Sequence, residues 1–211
     1  MKTTVLLLLV CLLLALPTVA QAPEKTAPDD LVVTAEIVGY KYSQPQTQAK
    51  LKRNKPDVSV PYLSLYSKMS LRNKTNKNRS VCVMTCSWEN SWVDDMPYSL
   101  LAWTCDHNFP VTINIPPGEA LVFYAPLFDV VRRSTSSLDS VMHFKMGFID
   151  LMESDYNYVG SKRREVGEKR VVYWSNELSN DTRPIISPEV AAKANDHCFY
   201  LTKNGEEIRI Q

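Results

Sequence analysis

Apolar and polar residues alternate over Tyr62–Asn73, YLSLYSKMSLRN, so that Leu63, Leu65, Met69 and Leu71 share a face with Ser67. A repeat of two is the mark of a half-buried strand. LVVTAEIVGYKY, residues 31–42, is expected to form the strand before it. VCVMTCSW, 81–88, follows across the turn-forming KTNKNRS, and the spacing predicts an antiparallel hairpin over 62–89. FPVTINI and ALVFYAPLF, joined by the turn PPGE, predict a second hairpin. In VMHFKMGFIDLM, 141–152, Met142, Phe144, Met146 and Phe148 fall on one face. KRREVGEKR, 162–170, reads as a charged connection into VVYWSNEL, 171–178. SPEVAAKAN, 187–195, carries Ser187 as N-cap, Pro188 at the first helical position and Glu189 just inside, and is the one helix expected. HCFYLTKNGEEIRI closes the chain as a hairpin around Asn204-Gly205. Many short strands, turn signals between them and one small helix define an all-β class: an immunoglobulin-like antiparallel β-sandwich with a short C-terminal helix and a terminal hairpin.

The first residues have a different character. Lys2 is followed by an unbroken apolar run, Val5–Leu16, too short to cross a bilayer and the right size for a signal-peptide core. Small residues at 18–20 place cleavage after Ala20. The expected organisation is a signal peptide over 1–20, a polar tether over 21–30 and a single sandwich domain over 31–211, exported to the periplasm or the outside, with no transmembrane segment in the mature chain. The formal net charge is +1 with acids and bases interleaved, which leaves no long-range field for nucleic acid. The basic residues Lys50, Lys52, Arg53 and Lys55 read as a solvated loop.

Export changes the meaning of the cysteines. Cys82, Cys86, Cys105 and Cys198 survive cleavage, an even number in an oxidising compartment, which points to disulfides. Residues i and i+4 on a strand lie about 13 Å apart, whereas a disulfide needs Cα atoms within about 7 Å. Cys82 and Cys86 are therefore not expected to pair. On an extended VCVMTCSW, Cys82, Met84, Cys86 and Trp88 share a face opposite Val81, Val83 and Thr85. The expected bridges are Cys86–Cys105 and Cys82–Cys198. Zinc is the weaker reading, because Cys82-x₃-Cys86 lies on an expected strand rather than on a knuckle. Cys105 with His107 lacks a third group to orient a base. No cofactor is expected.

Between Cys86 and Cys105 lies WENSWVDDMPYSLLAWT, rich in Trp and acids. Glu89, Asp94, Asp95 and Asp106 follow no ordered calcium pattern. Trp88 and Trp103 are expected to pack on the bridge, and Trp92 is the tryptophan expected to reach solvent. Trp92, Tyr98, Asp94 and Asp95 are thus the candidate contacts for a protein or glycan partner. Asn73, Asn78 and Asn180 each begin a glycosylation tripeptide.

CSWENSW, CDHNFPVTINIPPGEALVFYAPL, HFKMGFIDL and VVYWSNEL together resemble small exported immunoglobulin-like sandwich proteins of diderm bacteria. The resemblance covers roughly 60–180 and implies fold and compartment, with no activity to carry over. No nucleophile, metal set or acid–base pair has the right spacing, so the expected role is a non-enzymatic accessory or interaction module of the envelope. The alternatives are a carbohydrate-binding module using the 90–104 loop, and a hydrolase whose site assembles from distant strands.

Overall fold

The computed structural model describes residues 28–43, 62–95, 98–100, 108–129, 143–181 and 184–210, with backbone alone at 42–43, 62–64, 98–100, 128–129 and 158–164. The expectations for the signal peptide, the basic loop, Trp103, Cys105, Asp106, His107 and Met142 fall outside these residues. The fold is all-β, antiparallel and sandwich-like. Its larger sheet runs β1-β2-β7-β12-β13, where β1 is Leu31–Ser43, β2 Tyr62–Asn73, β7 Ala120–Asp129, β12 Phe199–Lys203 and β13 Glu206–Arg209. The short β5, Tyr98–Leu100, also pairs with β7. Facing it are three smaller ladders. β3 (Arg79–Met84) pairs with β6 (Pro110–Ile115), β4 (Trp92–Asp94) and β10 (Val172–Trp174) flank β9 (Met146–Ile149), and β8 (His143–Phe144) pairs with β11 (Leu178–Ser179).

Leu65, Ser67, Met69 and Leu71 are buried on the core side of β2, as their alternation requires. β7 differs, with Leu121 through Leu127 all buried. Its odd positions, Leu121, Phe123, Ala125 and Leu127, enter the core between the sheets. Its even positions, Val122 and Tyr124, lie under the helix Pro188–Asn195, named α2 here, with Ala194, Cys198 and Tyr200. A central strand covered on both faces reads as a continuous apolar run. The expected cap of α2 is present, with Ser187 Oγ accepting from Val190 N at 3.3 Å. The terminal hairpin is also as expected, with Asn204 (φ 54°) and Gly205 (φ 86°) in the left-handed region that a two-residue turn demands.

Neither of the other expected hairpins forms. β2 pairs with β1 and β7, and β3 pairs with β6, so the turn after Asn73 and the Pro116–Glu119 turn each carry the chain from one sheet to the other. The two crossings lie side by side and are joined at Asn73. Its main chain accepts from Gly118 N (3.0 Å) and donates to Glu119 O (3.0 Å). Its amide donates to Lys77 O (2.7 Å) and Ile115 O (2.8 Å), and accepts from Thr75 N (2.9 Å) and Thr75 Oγ1 (2.8 Å). Asn73 is fully buried, so in the folded protein its tripeptide is a structural knot with no room for a glycan.

A second correction concerns 162–170. All but Arg170 belong to a helix, α1, Tyr156–Lys169, which lies against β4 and the turn before it. Tyr156 and Val166 pack with Ile149 and Leu151. A 3-10 turn, Glu153–Asp155, leads into it, with Asp155 Oδ2 accepting from Met152 N at 2.8 Å.

Candidate docking site at the end of β3 and β6

The strand of VCVMTCSW ends at Met84, and Trp88–Ser91 forms a 3-10 turn. This turn sends Trp88 and Trp92 into the core, 2% and 0% exposed, around Phe123 at centroid distances of 4.9 and 5.6 Å. The expectation that Trp92 reaches solvent is therefore overturned. Of the other loop candidates, Asp94 is half-buried on β4 and Asp95 is exposed, its carboxylate accepting from Lys145 N at 2.6 Å. Tyr98 lies on β5 opposite Asp129. Glu89, a candidate calcium ligand, is buried.

The cysteines depart from expectation in the same region. Val81 and Val83 take the core side of β3, which turns Cys82 to the outer side beneath α1. Cys198 faces outward from the other sheet, under α2. The sandwich core separates them and both are free thiols, so the Cys82–Cys198 bridge does not form. Cys86 is disulfide-bonded. Its partner lies outside the described residues.

Where β3 and β6 end, polar groups lock two loops together. Thr85 N donates to Phe109 O (3.0 Å), and Phe109 N donates to Thr85 Oγ1 (3.1 Å). Asn108 Oδ1 accepts from Cys86 N (3.2 Å) and Ser87 N (3.1 Å), while its Nδ2 donates to Ser87 Oγ (2.7 Å). Asn108, Thr85 and Ser87 thus form a clamp. What the clamp presents is apolar: Phe109 is 56% exposed. Its chain neighbours Asn108 and Pro110 line a cleft of about 770 Å³, on which Met152 is 53% exposed. Met84, Pro110 and Tyr156 line the cleft together with the polar Asn108, Ser154 and Asn157, and Glu153 adds an exposed carboxylate.

Tyr156 links the cleft to an ion and hydroxyl network in and around the adjoining groove. The Tyr156 hydroxyl meets Ser91 Oγ at 2.8 Å and donates to Cys82 O at 2.8 Å, and burial raises its pKa. Arg79 bridges Asp30 (2.7 Å) and Asp150 (2.5 Å), and Arg170 holds Asp155 (2.7 Å). Burial works against the Asp30 carboxylate, but the Tyr173 hydroxyl and Arg79 outweigh it and hold its pKa down. The Tyr173 hydroxyl is pushed up to about 12, by burial first and then by Asp30. Cys82 lines the adjoining groove, its thiol raised by burial and by Glu153, so at neutral pH it stays protonated and is a poor nucleophile.

On the opposite side of the molecule, the outer face of the large sheet holds a polar trough of about 540 Å³ with Glu36, Lys68, Arg72, Glu119 and Glu207. Glu207 is its anchor, taking Lys68 (3.0 Å), Lys193 (3.0 Å) and the Tyr124 hydroxyl (2.9 Å). Burial opposes the Glu207 carboxylate, and these three partners overcome it and lower its pKa.

Among the described residues no group of three or more His, Cys, Asp and Glu side chains is placed to hold a metal, and no helix is long and apolar enough to cross a membrane. The fold and this surface define an antiparallel sandwich with a rigid apolar projection at one end. Compared with protein-family models, curated proteins and solved structures, the chain matches none.

Proposed function

We propose that this chain is an exported immunoglobulin-like sandwich that acts as an interaction module, docking a partner protein on the exposed Phe109 and the neighbouring cleft that Met84, Pro110 and Met152 help to line. The observation that carries this reading is the clamped, exposed Phe109. Leaving a phenylalanine ring more than half in water forgoes the stabilisation of burying it, on the order of 2 kcal/mol, while four hydrogen bonds from Asn108 and Thr85 hold its loop rigid. A ring held in one place loses little entropy when a partner covers it. The mixed lining, with Met84, Pro110 and Met152 beside Asn108, Ser154, Asn157 and the Glu153 carboxylate, suits an extended segment carrying a large apolar side chain for Phe109 and a neighbouring basic residue for Glu153. The carbohydrate-binding alternative drew its support from an exposed Trp92, and that support is gone.

Peptide display against the mature protein tests the reading. Selected peptides should share an apolar–basic pair, and their binding should fall at least tenfold with Phe109→Ala and with Glu153→Lys. Selections that yield no consensus, or binders indifferent to both substitutions, refute it.

A further inference from the structure

β3 and β6 form a ladder of their own, and among the described residues β6 pairs with β3 alone. The direction of its main-chain groups follows from the bond at its end. Thr85 N donates to Phe109 O at 3.0 Å, so in this register the odd residues Val111, Ile113 and Ile115 exchange bonds with β3. The even residues Pro110, Thr112 and Asn114 turn their main-chain groups away from it. Two contacts agree with that parity. Cys82, opposite Thr112, turns its carbonyl to the other side of the ladder, where the Tyr156 hydroxyl reaches it at 2.8 Å. Ser80 and Asn114 form a closer, non-bonded pair and join their side chains at 2.6 Å. The far edge of β3 is therefore covered at Cys82, whereas the N–H and C=O groups of Thr112 and Asn114 and the Pro110 carbonyl have no partner among the described residues. Side chains alternate as well. Thr112 and Asn114 are exposed on the outer face, and Val111 and Ile113 lie half-buried against the core. Alternation puts Phe109 on the same side as these two, at the exposed end of the row.

We infer that the open edge of β6 receives an extended segment of a partner protein as an added strand. The inference rests on the reading of Phe109 as a docking element and supplies the main-chain part of that docking. The segment exchanges hydrogen bonds with Thr112 and Asn114 and donates one to Pro110 O. Its side chains follow from the edge. Alternate residues are apolar, because they cover the half-buried Val111 and Ile113 and run on to Phe109. The residues between them are polar and stand in water beside Thr112 and Asn114. Sheet edges are commonly guarded by charges that repel an incoming strand. PVTINI carries none, and its proline sits at the first position, where it removes a single donor and leaves its carbonyl. The row of apolar side chains leads directly to the clamped Phe109, so one segment covers both the edge and the ring.

Peptides selected by display on the mature protein test this through the main chain. Thr112→Pro removes the N–H at the centre of the open edge and no bond of the β3 ladder, so it should weaken the selected peptides by about tenfold or more. Thr112→Ala keeps the N–H and should bind as the wild type does. Circular dichroism verifies that both variants fold. Amide exchange followed by NMR on the wild type gives the same answer without a substitution. Bound peptide should slow the exchange of the Thr112 and Asn114 amides and leave those of Val111 and Ile113, already paired with β3, unchanged. Peptides that need Phe109 and Glu153 yet leave the Thr112 and Asn114 amides exchanging freely overturn the added strand and spare the docking reading. Peptides that protect both amides but ignore Phe109→Ala and Glu153→Lys do the reverse. Selections without a consensus overturn both. Protection of these amides by self-association of the chain alone would make a second copy the occupant and overturn the assignment to a partner.

Discussion

Asn73→Ala asks whether one buried amide holds the two sheet crossings together. The substitution removes two donors and one acceptor oxygen that together make four hydrogen bonds, two to Thr75 and one each to Lys77 O and Ile115 O. Lys77 is exposed, so its carbonyl can turn to water. Ile115 is fully buried, and an unsatisfied carbonyl there costs about 1–3 kcal/mol. Adding about 1 kcal/mol for the lost Thr75 turn gives a destabilisation of about 2–4 kcal/mol. Urea unfolding followed by the fluorescence of the buried Trp88 and Trp92 measures it, with an unchanged denaturant slope as the check on two-state behaviour. Asn73→Asp is the sharper probe. It keeps the acceptor toward Thr75 but aims a carboxylate at two carbonyls, which raises its folded pKa above the unfolded value. A raised carboxyl pKa means protonation favours the native state, so this variant should regain stability as pH falls through its folded pKa, while Asn73→Ala should not. A loss below about 1 kcal/mol in Asn73→Ala, or an Asn73→Asp that matches wild type at neutral pH, would refute the account of this corner.

Three further outcomes follow from the same geometry. Trp92→Ala should cost about 3–5 kcal/mol, since the ring fills the space between Phe123 and Phe148, and a change within 1 kcal/mol by urea unfolding would mean the ring is not in the core. In the purified protein, alkylation should label neither Cys82, Cys86 nor Cys198 natively, and Cys82 and Cys198 after denaturation, as read by peptide mass; labelling of Cys86 under non-reducing conditions would contradict its bridge. Glu207→Gln should lose about 1–2 kcal/mol at neutral pH, discounted for the partial exposure of Lys68 and Lys193. Because the folded pKa of Glu207 is lowered, its contribution is full above the unfolded pKa and disappears as pH falls through the folded one. Because that of Lys193 is raised, its share is full below the unfolded value and is lost as pH rises through the folded one. A Glu207→Gln variant whose stability keeps the wild-type acid limb would show the anchor to be idle.

Strand positions were legible because alternation is local. β2, β3, β6, β7 and β12 all begin and end near turn signals in the sequence, and α2 carries its cap and proline in the open. Partnership was not legible. A turn of seven residues such as KTNKNRS serves a hairpin and a sheet-to-sheet corner equally well, and what selects the corner is the Asn73 amide, whose partner Ile115 lies far along the chain. α1 stayed hidden for a different reason. It has no Ser, Thr or Asn side-chain cap, it contains Gly160 and Gly167, and of its described side chains only Tyr156 and Val166 pack on the core. With so weak an apolar stripe the helix has no period to read, and tertiary packing decides its conformation.

The candidate site was misplaced by one geometric assumption, that VCVMTCSW stays extended through Trp88. Had the strand continued, Trp88 would share the outer face with Cys82, opposite Val81 and Val83 in the core. The clamp at Thr85, Ser87 and Asn108 ends it, and the ensuing turn carries both Trp88 and Trp92 inward. The same clamp then leaves Phe109 in solvent. One set of hydrogen bonds therefore exchanges which aromatic is core and which is surface. The signal for it was present in NFPV: an asparagine able to satisfy several main-chain groups, followed by Phe-Pro at a strand start, where proline has no N–H to offer a neighbour. Asn108→Ala separates the two roles of the clamp. It should loosen the loop and weaken selected peptides through lost preorganisation while Trp88 and Trp92 keep the core in place, so binding should fall more than tenfold with less than about 2 kcal/mol of unfolding stability. If binding and stability instead fall together, with the tryptophan emission shifting red, the loop is part of the core and Phe109 is no independent docking element.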